Sequence, residues 1–225
     1  MPRRLQLKEG NYYHIKNYGA DNRQVFRTNS DRSRFTQLLF LCNSKKSVIV
    51  RDVRDKRNLF SRERDEHLTD IGAFVLMPDS FELVVYDRIQ GGTSRFMQKL
   101  LTGYSMYFNH QYGRAGRLFA GSYQAKELKD DESIQRAVVA MHLTPLSRVT
   151  PNWREEGIED LQTAKQYLEQ YPHSSYFDYC RIQRPQGAII NLEPFAKACT
   201  PLGTDCFMAH IGAWFDARNA YTIPN

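Results

Sequence analysis

Two apolar runs of strand length lie almost back to back, GAFVLM at residues 72–77 and FELVVY at residues 81–86, with Pro78, Asp79 and Ser80 between them. Proline, aspartate and serine in so short a gap are turn chemistry, so the pair predicts a tight β-hairpin. The other segments arrange themselves around it. Tyr12 to Tyr18 (YYHIKNY) alternates, is rich in aromatics and closes on Gly19, which predicts a first strand. Asp31 is positioned to cap a helix whose apolar residues Phe35, Leu38, Leu39 and Cys42 fall at i, i+3, i+4 and i+7. After the hairpin, Gly91 and Gly92 end the strand. Thr93 or Ser94 then caps a helix with Phe96, Leu100, Tyr104, Tyr107 and Phe108 on one broad face.

Gly113 and Gly116 break that helix, and a short final strand is expected within residues 118–128. Asp131, Glu132 and Ser133 open a last helix through Ile134, Val138 and Met141, which stops before Pro145. The order β-α-β-β-α-β-α predicts an α+β chain: a ferredoxin-like split βαβ sheet with a trailing helix. We expect residues 1–150 to form this domain and 151–225 to form a partly helical, irregular extension. In that extension Leu161, Ala164 and Leu168 mark one helix, followed by Pro- and Tyr-rich sequence without a period. Val48 to Val50 is a short apolar run, and residues 51–70, dense in both charge signs, read as an exposed excursion or charged hairpin.

Composition narrows the function classes. At 41% hydrophobic and 12% aromatic over 225 residues, the chain buries a core of its own and is not disordered. No run reaches the roughly 18 apolar residues of a membrane span. The basic N-terminus has no apolar stretch behind it, which argues against a secretory signal. Cys42, Cys180, Cys199 and Cys206 show no CxxC spacing and read as reduced thiols of a cytoplasmic protein. No GxGxxG, Walker A, HExxH or GxSxG pattern occurs. Charge is uneven: residues 1–70 hold 16 Lys/Arg and 9 Asp/Glu, a net of +7, while residues 151–225 hold 6 and 9, a net of −3. A polyanion partner is therefore expected on the N-terminal part.

Several stretches together resemble the REP-associated tyrosine transposases of the single-tyrosine HUH superfamily. Tyr13-His14, Asn22-Arg23-Gln24-Val25-Phe26, Asp31 and Phe35 are similar to the family's YHV…NR…IF…D…F opening. Leu76-Met77-Pro78 is similar to its Met-Pro-Asn turn. The run from Phe96-Met97-Gln98 through Tyr104, Tyr107-Phe108-Asn109 and Tyr112-Gly113-Arg114-Ala115-Gly116 to Leu118-Phe119 follows in order. His142-Leu143-Thr144-Pro145 resembles YIHLNP, and Tyr171-Pro172-His173-Ser174-Ser175-Tyr176 resembles PWSSY. Such enzymes cut single-stranded DNA at a hairpin through a 5′-phosphotyrosine, with a divalent metal held by two imidazoles at i, i+2 on one strand. The matching positions here are Ser80 and Glu82, and the nucleophile's position is Ala140, which has no nucleophilic atom. The arginine of the family's GRY motif is Ser122. A lone carboxylate at Glu82 makes a weak Mg²⁺ or Mn²⁺ site, so no cofactor is expected.

What the resemblance leaves is a binding surface. Arg23, Arg27, Arg32 and Arg34 flank the first helix, Lys45 and Lys46 follow it, and Arg114 and Arg117 surround the glycine turn. These are the expected phosphate contacts, with Tyr12, Tyr13, Tyr18, Phe26 and Tyr112 as stacking faces for unpaired bases. The leading expectation is a DNA-binding protein without strand cleavage that recognises hairpin or palindromic DNA, acts as a regulator, and works as a homodimer through a sheet edge and the aromatic second helix. One alternative is an active transposase that relocates its nucleophile to Tyr104, Tyr107, Tyr112 or Tyr123 and uses Mg²⁺ or Mn²⁺. The other is a module binding protein or RNA. His142, alone on its helix, reads as structural rather than as a proton carrier.

Overall fold

The computed structural model describes residues 6–46, 59–63, 66–199 and 205–219. The basic residues 1–5, the Val48–Val50 run and much of the charged stretch after it lie outside these. Strands β1 (Tyr12–Tyr18), β2 (Asp70–Met77), β3 (Ser80–Tyr86) and β4 (Gln124–Leu128) form one antiparallel sheet in the order β2-β3-β1-β4. Strand β3 is inserted between β1 and β2, the split βαβ arrangement expected from the element order. The hairpin turn is tighter than the sequence suggested. Met77 pairs with Ser80, so only Pro78 and Asp79 make the loop and Ser80 already belongs to β3.

The two apolar runs are near-continuous because both faces of the hairpin are covered. Helices α1 (Asn29–Leu41) and α2 (Gly92–Gln111) pack on one face, against Ile15, Phe74, Leu76, Phe81 and Leu83. Helix α3 (Asp131–Leu143) and the C-terminal extension cover the other, against Ala73, Val75, Met77 and Val84. The extension contributes α4 (Trp153–Glu156), α5 (Leu161–Glu169), α6 (Tyr176–Tyr179) and α7 (Cys206–Asn219). Trp153, Leu168, Tyr176, Tyr179, Phe195 and Phe207 from it share one buried cluster with the sheet and α3. Gly72 lets it settle: a Cβ there would meet the Phe195 ring at 2.7 Å.

Three expected details are corrected. Thr28, not Asp31, caps α1; Asp31 is the third helical residue and completes a reciprocal capping box. Neither Thr93 nor Ser94 caps α2. Gly91 does so at φ +68°, and the carboxylate of Asp87 accepts from the Thr93 backbone N–H at 2.8 Å. Leu161 is exposed, so α5 is anchored by buried Ala164 and Leu168, with Tyr167 packed beside them.

The surfaces expected to meet a second copy are largely used within the chain. Phe96, Leu100, Tyr104 and Phe108 of α2 are buried in the chain's own core. The open edge of β2 is taken by the PWSSY-like segment: the Leu76 N–H donates to the His173 carbonyl and the Ser175 N–H to the Phe74 carbonyl, both at 2.9 Å. This leaves the five-residue strand β4 as the uncovered edge among the described residues. No helix among them is long and apolar enough to cross a membrane.

A fully buried chain of hydrogen bonds locks that segment in place. The His210 Nδ1 lies 2.8 Å from the Cys206 carbonyl, which can only accept, so Nδ1 carries the proton and Nε2 is free to accept. His142 therefore donates from Nδ1 to His210 Nε2 at 2.8 Å, and its Nε2 accepts from the Ser175 hydroxyl at 2.7 Å. Ser175 Oγ in turn accepts from the Phe74 N–H at 2.9 Å. Both rings are neutral: burial holds His210 down at about 4 and His142 well below the usual histidine range. His142 is structural, as expected.

Candidate nucleic-acid interface

The loop between β1 and α1 is fixed before it presents any charge. Gly19 is required there, because a Cβ would lie 2.0 Å from the Arg23 carbonyl oxygen. The N–H groups of Val25 and Phe26 both donate to the Pro78 carbonyl at 2.9 Å, and the Tyr104 hydroxyl donates to the Val25 carbonyl at 2.5 Å. The hairpin turn and α2 thus hold the segment that carries Arg23 and Arg27.

Asp31 is the hub of the site. It is fully buried, and its carboxylate accepts from the N–H groups of Arg27 and Thr28 at 2.9 Å and from the hydroxyls of Tyr107 and Tyr112 at 3.1 and 2.7 Å. Over these rings lie the arginines. The Arg27 guanidinium sits 4.5 Å from the Tyr112 centroid, Arg34 sits 5.0 Å from that of Tyr107, and Arg114 lies 5.8 Å from that of Phe108. Arg114 also donates to Asn109 at 3.3 Å, and Arg23 donates to the Arg117 carbonyl at 3.4 Å. Segments some 80 residues apart, 23–34 and 114–117, therefore put five arginines at one end of the helical layer.

Of the eight basic candidates, Arg23, Arg27, Arg34, Arg114 and Arg117 are brought together. Arg32 lies beside them but turns back onto its own helix, donating to the Thr28 carbonyl at 3.3 Å. Lys45 and Lys46 follow the opposite end of α1, where Lys45 pairs with Glu66 at 2.6 Å. The five stacking candidates fare worse. Tyr13 and Phe26 are buried to 1% exposure and present no face to a base. They are core residues because strand alternation turns Tyr13 inward and Phe26 packs on Phe35 and Tyr104. Tyr12 is half-buried with its hydroxyl on the Pro194 carbonyl. Tyr18 is exposed, and Tyr112 is half-buried beneath Arg27.

On the opposite sheet face, the positions matching a metal site hold something else. Glu82 accepts from His14 Nε2 at 2.7 Å and from the Lys16 ammonium at 2.8 Å. Burial pushes its carboxyl up, yet the His14 hydrogen bond and the Lys16 charge outweigh this and hold it below the usual range. The Ser80 hydroxyl donates to the Asp79 carboxylate at 3.0 Å. One carboxylate already paired with two basic groups does not fit a divalent ion. Among the described residues no group of three or more His, Cys, Asp or Glu side chains converges as a metal site. The sequence held the signal for this cluster, since His14 and Lys16 share one face of β1 by strand alternation, and Lys16 pairs across from Glu82.

Three of the four tyrosines considered as alternative nucleophiles, Tyr104, Tyr107 and Tyr112, sit around Asp31. Burial and the Asp31 charge raise the Tyr104 hydroxyl far above its usual value, and burial with the Asp31 hydrogen bond raises Tyr107 to about 12. Tyr112 shifts upward for the same reasons. The upward shifts disfavour the phenolate at all three, and Tyr104 donates to a backbone carbonyl, which is no base.

No family model matches the chain, and no curated protein matches it. Among solved structures it is similar to that of a REP-associated tyrosine transposase bound to a REP hairpin, at 11% sequence identity. That similarity covers 83% of this chain and 89% of the other, with a TM-score of 0.49.

Proposed function

We propose that this chain is a transposase-derived DNA-binding protein that recognises hairpin or palindromic DNA, acts in regulation and does not cut strands. The observation that carries the reading is the convergence of Arg23, Arg27, Arg34, Arg114 and Arg117 around Asp31 and its aromatic ring stack. The motif resemblance supports the same partner. Stacking holds three of the guanidiniums in place while leaving their N–H edges for phosphate oxygens, which lowers the entropy lost on binding. Ala140 in the nucleophile's position and Glu82 already engaged by His14 and Lys16 favour binding over cleavage. A two-fold or hairpin target suits a homodimer, for which β4 offers the uncovered edge.

The test is titration against hairpin, duplex and single-stranded oligonucleotides at several salt concentrations. If about six phosphates are neutralised, affinity falls roughly a thousandfold between 50 and 200 mM salt on duplex-like DNA. The R27A/R34A/R114A variant weakens binding for all sequences alike and flattens that slope. Absence of binding to all three at 50 mM salt refutes the reading and favours a protein-binding module.

A further inference from the structure

Two cysteines that stand 26 positions apart in the sequence meet where the C-terminal extension closes on itself. Cys180 follows α6, and its N–H donates to the Tyr176 carbonyl at 3.0 Å. Cys206 opens α7, and its carbonyl accepts from His210 Nδ1 at 2.8 Å. Each of these pairs is spaced i, i+4 and so shares one helical face. The two faces are turned toward each other: the His210 ring lies 5.6 Å from that of Tyr176 and 6.3 Å from that of Tyr179. Between them the Cys180 thiol, the Cys206 thiol and the Tyr176 hydroxyl form one hydrogen-bonded group. The other two cysteines are held elsewhere. Cys199 bonds to the Tyr179 hydroxyl, and Cys42 packs on the core beneath α1 and α2.

The paired thiols are unequal. Cys180 is half-buried, so a small reagent reaches it, whereas Cys206 is 2% exposed. The hydrogen bond from Cys206, helped by that of Tyr176, outweighs burial and holds the Cys180 thiol below its usual range. Giving that hydrogen bond, together with burial, pushes Cys206 up. The reachable sulfur is therefore the one that ionises first, and the sheltered sulfur stands directly behind it.

We propose that Cys180 and Cys206 form an oxidation site, which hydrogen peroxide converts into a disulfide stapling α6 to α7. The Cys180 thiolate attacks one peroxide oxygen: the S–O bond forms, the O–O bond breaks, and the departing hydroxide takes up the thiol's proton as water. Cys206 then attacks the sulfenic sulfur of Cys180. The S–S bond forms, the S–O bond breaks, and a second water leaves with the Cys206 proton. The two thiols give up two electrons and the peroxide gains them. The extension and the arginine cluster cover opposite faces of the sheet, so the site stands independently of the DNA reading.

The experiment treats the folded wild-type chain with a small excess of hydrogen peroxide, alkylates the remaining thiols in denaturant, and maps peptides without reduction. A Cys180–Cys206 peptide should appear within one chain, lighter by two hydrogens, with Cys42 and Cys199 alkylated. The staple constrains the unfolded chain, so the urea midpoint at pH 7.5 should rise by about 1 M and return on reduction with dithiothreitol. C206S should stop at a Cys180 sulfenic acid that dimedone traps, and in C180S the Cys206 thiol should survive the same treatment. No linked peptide from folded wild type, a link to Cys199, or a link between two chains overturns the inference. So does an oxidised protein whose urea midpoint is unchanged or lower, since the disulfide then staples nothing.

Discussion

Acid should loosen this protein well before its carboxylates are neutralised, because the C-terminal extension is held by two imidazoles that must stay neutral. His210 is fully buried and its pKa falls from 6.5 to about 4 on folding, through burial. Between those values the unfolded chain binds a proton that the folded chain refuses, so stability is complete above about pH 6.5 and drains as the pH falls toward 4. At pH 5 this one residue costs about 2 kcal/mol, a sizeable share of the 5–15 kcal/mol typical of a domain. His142 moves the same way, through burial and the nearby His210 and Arg184, and deepens the loss. His173, which is partly exposed and also lowered to about 4, leaves a residual slope of the same sign. Glu82 and Asp70 are lowered carboxylates whose contribution is lost only below the carboxylate range, so pH 5 isolates the histidines. The assay is urea denaturation at pH 7.5, 6 and 5. With a slope of about 1–3 kcal/mol per molar, the midpoint should fall by roughly 1 M or more between the extremes. H210Q should start lower at pH 7.5 and lose less on acidification. An unchanged wild-type midpoint, or an H210Q variant with the full wild-type slope, refutes the hydrogen-bond chain as drawn.

Other outcomes follow from the same geometry. D31N removes the charge that gathers four donors; it should cost about 1–2 kcal/mol in thermal unfolding and weaken DNA binding by freeing Tyr112 and Arg27. G19A forces a Cβ against the Arg23 carbonyl and should destabilise by about 1–3 kcal/mol while lowering affinity for every DNA, measured by the same titrations. Calorimetry with Mn²⁺ should find no micromolar site at Ser80 and Glu82, and the S80H/E82H double variant should form no covalent adduct with a labelled hairpin, because Ala140 still lacks a hydroxyl. Light scattering at micromolar concentration should report a dimer, and a proline at Ala125 in β4 should shift it to monomer.

The sheet and its two inner helices were legible in the residue pattern alone. Strand alternation in YYHIKNY, the paired apolar runs and the glycine breaks are local signals, and each element formed near where they placed it, with the hairpin turn and helix caps shifted. Two short arginine-bearing segments, 23–34 and 114–117, also stood out in the sequence. Which of their arginines lie side by side depends on the fold. Arg23 and Arg117 meet through a loop pinned to the hairpin turn, while Lys45 and Lys46 are carried away by the length of α1. Tyr13 and Phe26 looked like stacking faces because composition cannot tell a buried ring from an exposed one; packing decides that. The tail was least legible. Its Pro- and Tyr-rich stretch has no period, since it makes no regular face of its own, and its place is fixed by long-range partners: Ser175 on Phe74, His142 and His210 between two helices, Phe195 over Gly72. Such contacts join residues 33 to 123 positions apart, and no local pattern encodes a contact whose two ends are brought together only by the fold.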